Sequence, residues 1–271
     1  LFLRIGGTGS SRSRCLRFSL RHKPAPGAYP VSEVVDLVGI VALEARKGRR
    51  PALEEGAVWG MPALRAGVPA PPGLREARLR RRTERAAAAL ARAGVRRVLA
   101  AEDFPLWPVL EAAGLRPVET EPFCQAMAVP LALAALRRAR ILRAQATVAL
   151  AGQRVSRPLF AAAEALCPQV RRLVVDVPGE GEELAAWLRE EYGAAVLPPG
   201  TAADVTACFG PAGGESGDAV LRLYGPAPQL DGLRLLPEEG TLPPGLAPLP
   251  LLALLWECGR LRPEQIRIFP A

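Results

Sequence analysis

The residues with the best case for chemistry are Gly152-Gln153-Arg154-Val155-Ser156-Arg157. They lead from the β-like run Thr147–Ala151 into a segment of helical spacing. A helix N-terminus gathers unpaired backbone N–H groups at the positive end of the helix dipole, so it favours an anion. Gly152 gives the backbone room, Ser156 can cap the helix, and Arg154 and Arg157 can add charge-assisted hydrogen bonds to a phosphate or carboxylate. The competing reading makes these plain surface arginines on a scaffold.

A second candidate is the helix around Leu74–Arg85. Arg75, Arg78, Arg82 and Arg85 fall at i, i+3, i+7 and i+10 and form one stripe, suited to the phosphates of a nucleic acid. No aromatic residue is interleaved, so the stripe lacks a stacking platform for single strands. A solvated face, or a face turned toward acidic residues elsewhere, explains it equally. Glu102 and Asp103 follow the strand-like Val95–Ala101, where α/β sites form, but Asp103 before Phe104-Pro105 also reads as a helix cap. Asp204 and Asp218 have no partner that the sequence can name. Gly6–Ser11 exposes backbone donors, yet it lacks the Gly-Lys-Ser/Thr of a phosphate loop and reads as a hairpin turn. His22 is the single histidine. Neither a Ser-His-Asp triad nor a Cys/His metal site can be assembled from it.

Composition bounds the rest. The 271 residues are 49% hydrophobic, enough for a sizeable core, but only 5% aromatic, so Leu, Val and Ala must fill it. The formal charge of +8 is unevenly spread. Residues 1–100 hold 20 Arg and Lys against 7 Asp and Glu, and residues 146–271 hold 10 against 15. Opposite signs suggest two domains with different surfaces. Lysine occurs only at Lys23 and Lys47, so an Arg-, Ala-, Gly- and Pro-rich genome accounts for much of the basicity. The cysteines Cys15, Cys124, Cys167, Cys208 and Cys258 are odd in number and widely spaced, as expected of thiols in a reducing compartment. Apolar runs stop short of a membrane span and no leader pattern opens the chain, so the expected location is cytoplasmic.

Periodicity and punctuation give the elements. Residues 1–21 read as a hairpin, 32–47 as a helix, and Pro51–Gly73 as an irregular connection. A helix over 74–93 ends at Gly94, followed by a strand at 95–101, a short helix at 105–113 and a strand at 117–119. A long helix over 123–144, kinked at Pro130, bridges to the second half. There strands at 147–151, 173–176, 194–197, 204–209, 219–224 and 233–236 alternate with helices at 156–166 and 182–192, and a helix at 249–257 closes the chain. The expected fold is α/β in two domains: a smaller basic α/β domain with an N-terminal hairpin over 1–122, a bridging helix over 123–146, and a Rossmann-like, mostly parallel sheet covered on both faces over 147–271.

Within that second half, VALAGQRVSRPLFAAAEAL, RRLVVDV and ADVTACFGP together resemble the NAD(P) domain of the shikimate dehydrogenase and glutamyl-tRNA reductase type, over residues 147–211. The resemblance implies an NAD or NADP site with the pyrophosphate on the 151–156 loop and Asp176, 25 positions after Ala151, at the ribose. The departures are as informative. Where the fingerprint has G-x-G-x-x-G, Ala151, Gln153 and Ser156 stand at the three glycine positions, and Gln153 puts a side chain where the backbone must approach the pyrophosphate. Asp176 serves equally as a polar strand terminus. The full chain is also similar in style to proteins of GC-rich, spore-forming bacteria. The leading expectation is a non-catalytic ligand-sensing or scaffold protein with a degenerate nucleotide loop at Gly152, Arg154, Ser156, Arg157 and Asp176, binding a small anion or a protein partner. An NAD(P)-dependent oxidoreductase is the alternative, and polyanion binding through Arg75–Arg85 the third.

Overall fold

The computed structural model describes residues 37–211 and 217–270. The expected hairpin at 1–21, the Gly6–Ser11 turn, His22 and Cys15 lie outside the described residues.

The apolar run that suggested a helix at 32–47 is a strand, β1 (Val38–Glu44). It is central to its sheet: Val38 and Ile40 join one core cluster and Val41 the cluster on the opposite face. A strand buried on both faces carries unbroken apolar sequence, and such a run satisfies helical spacing without being helical. The stretch expected to be irregular is a hairpin of β2 (Ala52–Val58) and β3 (Met61–Pro69). Its two-residue turn, Trp59-Gly60, has φ of 50° and 74°. Positive φ at both positions is type I′ geometry, which glycine adopts freely and tryptophan does not. The Trp59 ring is held against Gly240, where a Cβ would approach it to 2.8 Å.

Helix α1 (Glu76–Arg92) then packs Ala86, Ala87 and Leu90 against this sheet. It is followed by β4 (Arg97–Leu99), α2 (Trp107–Ala112) and β5 (Arg116–Pro117). The strand order is β2-β3-β1-β4-β5, parallel except for the β2–β3 pair. Asp103 does not cap α2, whose cap position is Leu106. It sits in the turn that precedes it, where Phe104 N–H donates to Ala101 O at 3.2 Å.

The expected long helix is two helices, α3 (Glu121–Ala126) and α4 (Ala128–Arg138). Pro130 lacks the N–H that would bond back to Ala126, so the chain breaks one turn earlier, at Met127, and Pro130 lies in the first turn of α4, where it is tolerated. Helix α4 ends six residues short of Ala144, with Arg140 at a φ of 59° beyond its cap.

The second sheet follows the sequence reading closely. It contains β6 (Thr147–Ala151), β7 (Arg172–Asp176), β8 (Val196–Leu197), β9 (Val205–Cys208) and β10 (Ala219–Arg222), in the order β10-β9-β6-β7-β8. All pairs are parallel. Renumbered from β6, that order is 3-2-1-4-5, as in a Rossmann sheet. Helices α5 (Arg157–Leu166) and α6 (Glu180–Tyr192) bury Leu159, Ala163, Leu184 and Leu188 beside Leu150 and Val175. Gly193, left-handed at φ 60°, ends α6.

The expectation of helices on both faces does not hold among the described residues. No helix joins β8 to β9; residues 198–204 cross as a strap and place Ala203 against Ala149 and Val174 on the other face. Asp204 fixes the strap. Its carboxylate accepts from the Thr147 N–H at 2.7 Å, and its own N–H donates to Thr147 O at 2.9 Å.

The chain closes with β11 (Leu233–Pro237), α7 (Pro248–Glu257) and β12 (Ile266–Pro270), with β11 and β12 forming a separate antiparallel pair. The last strand was not expected. From α7, Leu251, Leu252 and Leu255 enter the same cluster as Val38, Phe123 and Leu150, so residues of both larger sheets share one core. The described residues within Ser32–Ala271 accordingly form one compact unit. No helix among the described residues is long and apolar enough to cross a membrane.

Candidate functional site

In an open parallel sheet, ligands sit beyond the carboxyl ends of the strands where the strand order reverses, here between β6 and β9. The loop after β6 lies there. Gly152 is buried, and its N–H donates to Asp176 O at 3.2 Å. A Cβ on Gly152 would meet Leu159 Cδ1 at 3.3 Å, so the small residue serves close packing of loop on helix. Gln153, Arg154 and Arg157 are exposed, while Val155 and Ser156 are half-buried.

Part of the donor set that an anion would use is spent, while the backbone N–H groups of Gln153, Arg154, Ser156 and Arg157 have no acceptor among the described residues. Ser156 Oγ accepts from the Leu159 N–H at 3.4 Å, as a capping residue should. Pro158 has no N–H to offer. The Val155 N–H donates to Glu180 Oε2 at 2.7 Å. Glu180 opens α6 and reaches across to the loop that precedes α5. A carboxylate of the chain itself therefore occupies the position that the sequence assigned to a foreign anion. Within the first turn this leaves the Arg157 N–H as the open donor, with the Arg154 and Arg157 side chains in solvent.

Asp176 ends β7 directly beside Ala151, its register partner. Its side chain is half-buried and makes no hydrogen bond among the described residues. On the β9 side the crevice is walled by Phe209, which is 8% exposed. The next residue, Gly210, packs on the loop, with the Gln153 nitrogen 3.9 Å from the place of a Cβ. The structure thus brings Gly152, Ser156, Arg157 and Asp176 to one end of the sheet, with Arg154 exposed at its rim. The Gln153 side chain replaces the central glycine, and Glu180 holds the N–H two positions later.

The sequence reading missed Glu180 because it began α6 at Glu182, leaving the acid in a loop with no assigned partner. It also missed a polar group where α3 passes the crevice. Gln125 Nε2 donates to Glu121 Oε1 at 3.0 Å and to Phe209 O at 3.4 Å, and Glu121 Oε2 accepts from the Gly225 N–H at 2.8 Å. The thiol of Cys124, one residue before Gln125, is buried. Burial, reinforced by the Glu121 charge, pushes it up to about 12. Cys124 is therefore a protonated, inert core thiol. Thr120 Oγ1 is buried without a partner among the described residues, since Thr120 lies in the helical region of φ and ψ and cannot cap α3.

The arginine stripe is exposed at Arg75, Arg78 and Arg85 and half-buried at Arg82. Part of it is structural. Arg82 donates to Pro69 O at 2.6 Å and Arg85 to Arg49 O at 3.3 Å, tying α1 to the end of β3 and to the 45–50 loop. No group of three His, Cys, Asp or Glu among the described residues could hold a metal.

No protein-family model matches the chain, and no curated protein is similar to it. Among solved structures it is similar to the L-tryptophan dehydrogenase from Nostoc punctiforme, at 17% identity and a TM-score of 0.28. That alignment covers 64% of this chain and 56% of the dehydrogenase, so the chain spans little more than half of that protein. At such a score the superposition carries no argument. The Rossmann-like description rests on the strand order.

Proposed function

We propose that the chain is a non-catalytic ligand-sensing or scaffold protein that keeps the Rossmann-like sheet and has given up its dinucleotide grip. The observation that carries this reading is the Glu180–Val155 hydrogen bond, which fills the anion seat with a side chain of the chain itself. Phe209 against the loop and Gln153 in place of glycine act in the same direction. The raised Cys124 thiol near the crevice is buried and protonated, so it is no nucleophile there. A ligand suited to what remains is a small anion held by the Arg154 and Arg157 side chains, or a protein surface presenting carboxylates to them.

The alternative, an NAD(P)-dependent oxidoreductase, is favoured by the unpartnered Asp176 carboxylate beside the loop. It requires Glu180 to leave the Val155 N–H. A thermal-shift panel of NAD(H), NADP(H), S-adenosylmethionine and inorganic phosphate separates the two. Ligands that bind only the folded state stabilise it by about 2.7 kcal/mol at a hundredfold excess over Kd. A response to dinucleotide that disappears in Asp176→Ala supports the oxidoreductase; a response to phosphate alone, or to none, supports the scaffold. A third reading, polyanion binding, rests on the exposed Arg75, Arg78 and Arg85, and salt-dependent retention on heparin tests it.

A further inference from the structure

Among the described residues, the β11–β12 pair leaves one edge of β12 without a neighbouring strand. Which backbone groups point from that edge follows from the register. The Glu238 N–H donates to Gln265 O at 2.7 Å just past the strand ends. Hydrogen-bonded pairs alternate along an antiparallel ladder, so the Leu236–Arg267 and Arg234–Phe269 pairs exchange bonds and the groups of Ile266 and Ile268 face outward. The Ile266 N–H turns back to Pro263 O. The Ile268 N–H and C=O and the Ile266 C=O remain, and they have no partner among the described residues.

That edge borders a groove of about 580 Å³, within the usual range of ligand sites. Five consecutive residues, Ile266–Pro270, line it. Side chains alternate between the faces of a strand, so a consecutive lining means that the groove follows the β12 edge, and Leu233 of β11, the register partner of Pro270, closes its far end. The opposite wall is one stripe of α4, with Pro130, Leu133, Ala134 and Arg137 at i, i+3, i+4 and i+7. Among the described residues, no acidic residue lines the groove. Of its arginines, Arg138 is paired with Asp231 and Arg267 with Glu238. Arg137 and Arg143 are exposed and make no ion pair among the described residues.

We propose that this groove takes an extended acidic peptide from a partner protein, added as a strand to the β12 edge. Backbone hydrogen bonds to Ile268 and Ile266 hold it, Leu133 and Ile268 receive its apolar side chains, and its carboxylates meet Arg137 and Arg143. Pro270 has no N–H and limits the added strand to a few residues. Strand addition to an open edge gives affinity through the main chain and specificity through alternate side chains. The inference is independent of the crevice between β6 and β9.

A library of displayed random heptapeptides, selected on the full chain and counter-selected on the double variant Arg137→Glu/Arg143→Glu, tests it. Both sites are exposed and unpaired, so the variant's melting temperature should match the wild type. The expected result is enrichment of acidic peptides with alternating apolar residues. These should bind the variant at least tenfold more weakly, and lose at least tenfold when alternate peptide nitrogens are N-methylated. Lack of enrichment over the variant overturns the proposal. So does undiminished binding after N-methylation, or full displacement by equimolar decanoate, which would make a small amphipathic anion the occupant.

Discussion

The Glu180 carboxylate accepts the Val155 N–H at 2.7 Å, bridging the start of α6 and the loop before α5. Hydrogen bonds to charged groups contribute about 1.5–3 kcal/mol, and Glu180's exposure puts this one at or below the lower end. Glu180→Ala should cost about 1 kcal/mol in urea unfolding and speed hydrogen exchange at the Val155 amide. Unchanged exchange at that amide would show that the bond is not held in solution.

Asp204 ties the strap to β6 through both its carboxylate and its backbone. Asp204→Ala leaves the partly buried Thr147 N–H unsatisfied and should cost about 1–3 kcal/mol. Asp204→Asn keeps an acceptor oxygen and should recover about half of that. Chemical denaturation of the two variants gives the comparison, and equal losses would mean that charge, not acceptance, is what matters.

Gly67 lies beneath the Glu44 carboxylate, which Arg46 Nε holds at 2.6 Å and Arg65 Nη2 at 3.3 Å. A methyl group on Gly67 would press into that carboxylate and force it off its arginines. Gly67→Ala should therefore cost about 1 kcal/mol, the scale of a partly exposed ion pair. In a Glu44→Ala background the same substitution should cost nothing measurable, a coupling that a double-mutant cycle reads directly.

Burial, and secondarily the Glu121 charge, pushes the Cys124 thiol in the folded chain up to about 12 from an ordinary value of 9.0. Above pH 9 the unfolded chain releases this proton and the folded chain does not. The stability that it contributes is complete below pH 9 and is lost as pH rises toward 12. Tyr192, raised to about 12 by its hydrogen bond to Glu164, adds a loss of the same sign above pH 10. Urea midpoints at pH 8, 9.5 and 11 should fall less steeply for Cys124→Ala than for the wild type. At pH 8 the native Cys124 should resist iodoacetamide.

Much of the second sheet was legible because its signals are local. Ser156 caps α5, Gly193 ends α6, and β-branched runs mark β6 and β7, each within a few residues of the element that it defines. β1 was misread because a strand covered on both faces shows no alternation. The β2–β3 hairpin was hidden because Trp59-Gly60 is not a usual type I′ pair, and only its packing on Gly240, far along the chain, makes it one. The site failed to show itself for the same reason. Gly152, Ser156 and Asp176 follow from spacing, but the carboxylate that fills their loop comes from α6, and a contact between two elements leaves no periodic trace.

The most direct test is a fluorescence titration of NADH into the purified full chain, with Glu180→Ala alongside. The expected result is no saturable change for the wild type up to millimolar NADH, because Glu180 holds the Val155 N–H of the loop and Gln153 stands in place of its central glycine. Saturable binding to the wild type, abolished by Asp176→Ala, would contradict it and establish a working dinucleotide site.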